Sequence, residues 1–237
     1  MRRVLVLIAA VLACALTARL GLWQLDRAAQ KLALKARMDA RALLPPLSNA
    51  ELLHASGELL DRRVVLRGHW LADRTVWLDN RPLDGRAGFF VVTPLQLEGG
   101  TQTLLVQRGW LPRNSLERTA LPPLSTPSGT VEVEGRLAAT PSRVFEFAAS
   151  ASGLIRQNLD PAAFSREIGR TLLPWTLWQG GAAEGDLKRD WPAPDLGVQM
   201  HYGYTVQWFA LCALILGLYV WFQLVAPFRA RKRRLSA

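Results

Sequence analysis

From Tyr204 to Ala226 the chain runs 23 residues without a charged side chain. At about 1.5 Å of rise per residue, a helix of that length crosses roughly 30 Å of hydrocarbon. We read 201–227 as a transmembrane helix. Arg229, Arg231, Lys232, Arg233 and Arg234 follow directly, and short flanks rich in Arg and Lys resist translocation. That end is expected in the cytoplasm, as a basic tail over 228–237, and His201 at the opposite, outer edge.

Helical geometry puts positions 201, 204, 208, 211 and 215 on one stripe, so His201, Tyr204 and Trp208 stand above Leu211 and Ile215. His201 and Trp208 are roughly 10 Å apart along the axis, about the span of a flat macrocycle. A neutral imidazole heading an aromatic, apolar stripe meets what axial ligation of haem iron requires. The same residue types also form the interfacial belt of spans that bind nothing. Both readings stand on the stripe alone.

The net charge of +10 is concentrated outside the middle of the chain. Residues 19–41 hold six basic and two acidic side chains and the tail five and none, whereas 42–228 hold 16 and 17. The middle is near neutral, which argues against a nucleic-acid partner, since that would require a basic face on the folded domain; membrane lipid is the partner that the two basic collars fit. The two cysteines, Cys14 and Cys212, both lie in apolar segments, so disulfides, thiol chemistry and Cys-based zinc are absent from the region between them.

At the other end, Met1–Arg3 is a basic head before the apolar run Val4–Ala18. A cleaved signal peptide fits this pattern, and Val11-Leu12-Ala13-Cys14 approximates a lipoprotein box. We favour an uncleaved first span over 1–23, because Leu20–Trp23 resumes the apolar run and Arg19 can snorkel. Arg2 and Arg3 are outnumbered by Arg19, Arg27, Lys31, Lys35, Arg37 and Arg41 beyond the span, and a simple count would invert this helix. The tail of the second span decides the orientation: both termini cytoplasmic, the intervening domain outside. Over 24–44 Leu25, Ala28 or Ala29, Leu32, Ala36 and Leu43 recur at helical spacing, with Gln24, Arg27 and Lys31 on another face. The plain reading of this juxtamembrane amphipathic helix, one of two left open here, is a solvated stem touching lipid headgroups; the helix ends at Leu44-Pro45-Pro46.

From 45 to 200 the period changes. Arg63–Trp70, Thr75–Leu78, Gly88–Leu95, Thr103–Leu111, Thr130–Leu137, Arg143–Phe147 and Leu173–Gln179 are short runs rich in Val, Leu, Phe and Trp between turn residues. They predict a small antiparallel sheet curled towards a barrel. Asp160-Pro161 opens a short helix that ends near Gly169, Gly99-Gly100 makes a hairpin turn, and Leu121–Gly129 is a surface loop. The fold class is therefore membrane α+β, two terminal spans flanking a barrel-like β domain with one short helix.

Catalytic constellations are thin. His54 and His69 lie in no metal or triad spacing, and Glu132 and Glu134 share a strand face that reads as solvated. An enzyme acting on haem or lipid finds no residues to carry it.

Five blocks remain: Gly21-Leu22-Trp23-Gln24 with Arg27 and Lys31; Asp79-Asn80-Arg81-Pro82; Gly88 through Thr93-Pro94-Leu95; Leu105 to Pro112, which contains Arg108-Gly109-Trp110; and His201 with Tyr204, Gln207, Trp208 and Phe209. In this order, between two terminal spans, they closely resemble the Surfeit locus protein 1 family. The resemblance implies a non-enzymatic assembly factor for haem-copper cytochrome c oxidase, acting while haem a passes from haem a synthase into the large oxidase subunit. It implies that His201 ligates the haem iron, with Tyr204 and Trp208 as pocket walls. Trp110 reads as a core filler, and Arg108 as either part of a strand end or a partner for a haem propionate. A scaffold that holds an oxidase intermediate, with His201 merely interfacial, is the alternative. A second copy of the chain stays open as a partner. Without an amphipathic Arg- and Ser-rich leader before Val4, a bacterial inner membrane is expected, with the central domain periplasmic.

Overall fold

The computed structural model describes the chain outside positions 56, 115, 118, 142–152, 183–184, 192–195 and 236–237, and side chains up to position 231. In chain order the elements are α1 (Arg2–Leu43), α2 (Asn49–His54), β1 (Arg63–Trp70), β2 (Val76–Leu78), β3 (Gly88–Leu97), β4 (Thr103–Pro112), β5 (Thr130–Ala138), β6 (Ile155–Arg156), α3 (Pro161–Ile168), β7 (Leu172–Gln179), α4 (Val198–Val220) and α5 (Ala226–Leu235). They form two compact units, Met1–Arg37 with Pro194–Ala237, and Met38–Ala193.

In the helical unit two helices are long and apolar enough to cross a membrane, Arg2–Leu43 and Val198–Arg231. Leu5, Ile8, Leu12 and Leu16 point outward on α1, and Val206, Leu214 and Leu218 on α4. The buried positions are Thr17, Gly21, Gln24, Ala28 and Thr205. Apolar outside and small or polar inside is the reverse of a water-soluble helix pair, and it suits packing in a medium as apolar as leucine. Between α4 and α5 the residues Trp221–Val225 form a π turn, in which the Ala226 N–H reaches back five residues to the Trp221 carbonyl. Pro227 supplies the reason: it has no N–H to donate and its ring crowds the carbonyl four residues before it, so the backbone widens.

The second unit is the barrel. Strands run β1-β5-β7-β4-β3, and a direct β1–β3 pairing closes the ring. Inward positions alternate along every strand: Val64 and Leu66, Leu95 and Leu97, Leu104 and Val106, Val133 and Leu137, and Leu177 are at most 2% exposed. Outside the ring, α3 and β2 cover one part of β3 and β4 with Phe164, Val76 and Leu78. Closure depends on Gly68, where a Cβ would stand 2.3 Å from the Gln96 carbonyl oxygen. There β1 is paired with β5 and β3 at once.

Several sequence expectations meet the structure here. The barrel-like sheet and the short helix are present, with Asp160 accepting from the Ala163 N–H at 2.9 Å and Gly169 left-handed at the end of α3. The sheet is antiparallel except for two parallel pairings, β4–β7 and β2–β6. α3 provides the crossover that turns β7 into the direction of β4. The predicted strand Arg143–Phe147 lies outside the described residues. β6 is an addition, and so is α2, which opens on a capping box in which Ser48 and Glu51 satisfy each other's backbone N–H groups.

Candidate functional site

Along α1 the covered positions Cys14, Thr17, Gly21, Gln24, Ala28 and Lys31 recur in alternating steps of three and four. Along α4, His201, Thr205, Trp208, Cys212, Ile215 and Tyr219 do the same. This is the period of two helices laid side by side with a shallow left-handed crossing. Gln24 meets His201, while the Cys14 and Cys212 thiols each point to the other's backbone carbonyl, at 3.8 and 3.6 Å. The helices are thus antiparallel. Phe209 packs over Gly21 so closely that a Cβ there would lie 2.9 Å from its ring, and Lys31 donates to the Leu196 carbonyl at 2.5 Å, just ahead of α4.

His201 is half-buried at the start of this seam, its Nδ1 2.6 Å from the Gln24 side-chain oxygen. An amide oxygen only accepts, so this contact is made by a ring with its proton on Nδ1, whose neutral form holds its lone pair on Nε2. Among the described residues this is the hydrogen bond the ring makes. Of the stripe read from the sequence, His201, Trp208 and Ile215 are half-buried on the seam, whereas Tyr204 and Leu211 are exposed beside it. An imidazole held through one nitrogen, next to aromatic and apolar surface, is a donor set that suits haem iron.

The sequence leaves the face of Gln24, Arg27 and Lys31 open between a solvated stem and another role. Gln24 is 9% exposed and lies in the seam. Only Arg27 of the three remains on the outside, over the Trp23 ring and donating to Gln30 at 3.1 Å. The usable signal was phase: Gln24 recurs with Thr17, Gly21 and Ala28 on one stripe of small residues.

The other motif blocks assemble elsewhere, in the barrel unit. Opposite Val91 and Val92 the β4 register slips by one residue, and Arg108 is the extra one. Arg108 keeps the inward phase of Leu104 and Val106 and is 0% exposed, while the bulge changes the phase of the residues after it. Its guanidinium lies over the Trp70 ring and donates to the Thr126 hydroxyl at 2.6 Å and the Ser125 carbonyl at 2.8 Å. These contacts suit the strand-end reading of Arg108, holding it inside the barrel. The Leu121–Gly129 segment is more than a surface loop, since it straps down over Arg108 and packs Leu121 and Leu124 on the core. Gly109 admits the backbone of Leu187 and Lys188, for a Cβ would meet the Lys188 carbonyl at 2.9 Å. Trp110 fills core as expected, at 1% exposed. Its indole reaches the carbonyl of Arg81, and Arg113 pairs with Asp79 at 3.1 Å. Burial pushes the Arg81 guanidinium below its ordinary range, opposed by the charge of Asp79.

The model of the SURF1 family matches residues 11–213. Among curated proteins, a SURF1-like protein of Dictyostelium discoideum is 37% identical over 100 residues, which is 38% of this chain and 37% of that protein. A SURF1-like protein of Drosophila melanogaster is 28% identical over 141 residues, 53% of this chain and 45% of that one. The matched stretches thus span less than half the length of these relatives. Because the family match runs from α1 through the whole barrel into α4, the chain belongs to the SURF1 family, the Surfeit locus protein 1 family that its motif blocks resemble.

Proposed function

We propose that this protein is a membrane-bound assembly factor for haem-copper cytochrome c oxidase that takes haem a as cargo from haem a synthase and aids its insertion into the large oxidase subunit. The observation that carries this is the His201 ring, fixed by Gln24 with Nε2 left as a lone-pair donor at the head of the helix pair. Tyr204 and Trp208 stand about one and two turns along and supply aromatic surface for the macrocycle. A single protein ligand suits cargo that has to leave again. In this reading α1 and α4 span the inner membrane of a bacterium, the termini are cytoplasmic, and the barrel is periplasmic, where it meets the oxidase intermediate.

The test is an absorption spectrum of the detergent-purified full chain, co-expressed with haem a synthesis, for wild type and His201→Ala at matched yield. Haem a in the first and none in the second is the expected result. Equal spectra would move the ligand elsewhere. Haem in neither, with oxidase association retained, would leave the scaffold as the function.

A further inference from the structure

We infer that Gln24 is a positioning residue that locks His201 in the Nδ1–H tautomer and so makes Nε2 the nitrogen presented to a metal. Burying an amide in an apolar seam is unfavourable unless it is hydrogen-bonded, and Gln24 spends its oxygen on the ring of His201 at 2.6 Å. The seam's threonines do not compete for that ring. Thr205 donates to the His201 backbone carbonyl at 2.9 Å, and Thr17 to the carbonyls of Ala13 and Cys14 in its own helix. Gln24 is therefore the side chain that decides which ring nitrogen holds the proton and how the ring is turned. Histidines that ligate metals are commonly held through their other nitrogen in this way, which fixes the tautomer and raises donor strength. Here the holding group comes from the opposite helix, 177 residues away in sequence, so the ligand is ready only when the two spans are paired.

The consequence for haem rests on the function proposed above; the tautomer does not, and the two are measured separately. Histidine nitrogen-15 NMR on the haem-free full chain in detergent at mildly alkaline pH, with His54→Gln and His69→Gln leaving one histidine, should report Nδ1–H in the otherwise wild-type protein. Gln24→Leu should shift the ring to the Nε2–H form that free imidazole side chains favour, and should weaken haem a binding about 10- to 100-fold. Gln24→Glu should restore the Nδ1–H form and lower the midpoint potential of bound haem relative to wild type. An Nε2–H ring in the protein that retains Gln24, or an unchanged tautomer in Gln24→Leu, overturns the inference. An Nδ1–H ring that depends on Gln24 in a protein that binds no haem a upholds the positioning role and overturns the haem function alone.

Discussion

The indole N–H of Trp110 donates to the carbonyl of Arg81 across 2.7 Å, joining positions 29 residues apart in the chain. Both ends are buried, Trp110 at 1% and Arg81 at 4% exposed, so the carbonyl has no water to fall back on. Trp110→Phe keeps most of the ring and drops the donor, which should cost about 1–3 kcal/mol. Trp110→Ala also leaves a cavity and should cost about 3–5 kcal/mol. Denaturant titration of the full chain in detergent, followed by far-UV circular dichroism, measures both. A Phe variant as stable as wild type would show that the bond contributes nothing.

Closing the ring at Gly68 leaves no room for a methyl group. Since a Cβ would lie 2.3 Å from the Gln96 carbonyl oxygen, and backbone cannot swing aside as a side chain can, Gly68→Ala should destabilise the barrel by about 1–3 kcal/mol. The same titration checks it, with Gly203→Ala as control. At Gly203, in the helical backbone of α4, a Cβ meets nothing within 4 Å.

Arg108 and His201 belong to different sites, and their variants should separate. Arg108→Met removes the guanidinium from Thr126, Ser125 and the Trp70 ring and should lower the melting temperature. Haem a bound per folded protein should stay at the wild-type level. A propionate role would instead lower that ratio.

The antiparallel pairing of α1 and α4 can be tested chemically. Cys14 and Cys212 are the chain's two cysteines and face one another across the seam. A mild membrane-permeant oxidant should join them within one chain, read as a loss of two hydrogens in the intact mass without dimers on a non-reducing gel. Persistent free thiols under conditions that oxidise an exposed cysteine would contradict the pairing.

Acid should loosen α3 from β6. Arg156 holds Glu167 through two nitrogens, at 2.9 and 2.5 Å, and this hydrogen bonding keeps the carboxyl below its usual value of 4.5. A carboxylate with a depressed native value adds stability that is complete above the unfolded value and is lost as pH falls through the native one. The melting temperature should therefore fall less steeply below about pH 4.5 in Glu167→Gln than in wild type, when scanned from pH 7 to 3. Parallel curves would show that the pair does not govern the acid limb.

How much of this was legible in sequence follows from the range of the forces involved. The uncharged run to Ala226, the strand alternation and the Asp160-Pro161 to Gly169 helix are all written within a few residues, and they read correctly. Arg108 follows the period of Leu104 and Val106 into the interior, where a charged side chain is not expected, and the bulge there, hinted at locally by Gly109, shifts the period of the residues that follow. The parallel β4–β7 pairing depends on where a helix sends the chain, and two-residue β6 has no period to detect. The place of Gln24 stayed open for a related reason. A polar residue on an apolar helix looks like the start of a solvated face until the partner helix is in place. What the motif blocks do was hidden by their spread along the chain. Two of them, around Gln24 and His201, meet in the helical unit, and two others, around Arg81 and Trp110, meet in the barrel.

The π turn at Trp221–Val225 has a consequence for the end of the chain. Such a turn holds about one residue more than its neighbours, and each residue is worth about 100° of rotation. Residues 226–231 are turned out of phase with α4, and Arg229 comes to lie over the Trp221 ring, 5.2 Å from its centre. The compass bearing of Arg229 is thus set by the ring of Pro227 in the backbone, independently of the charge that Arg229 carries.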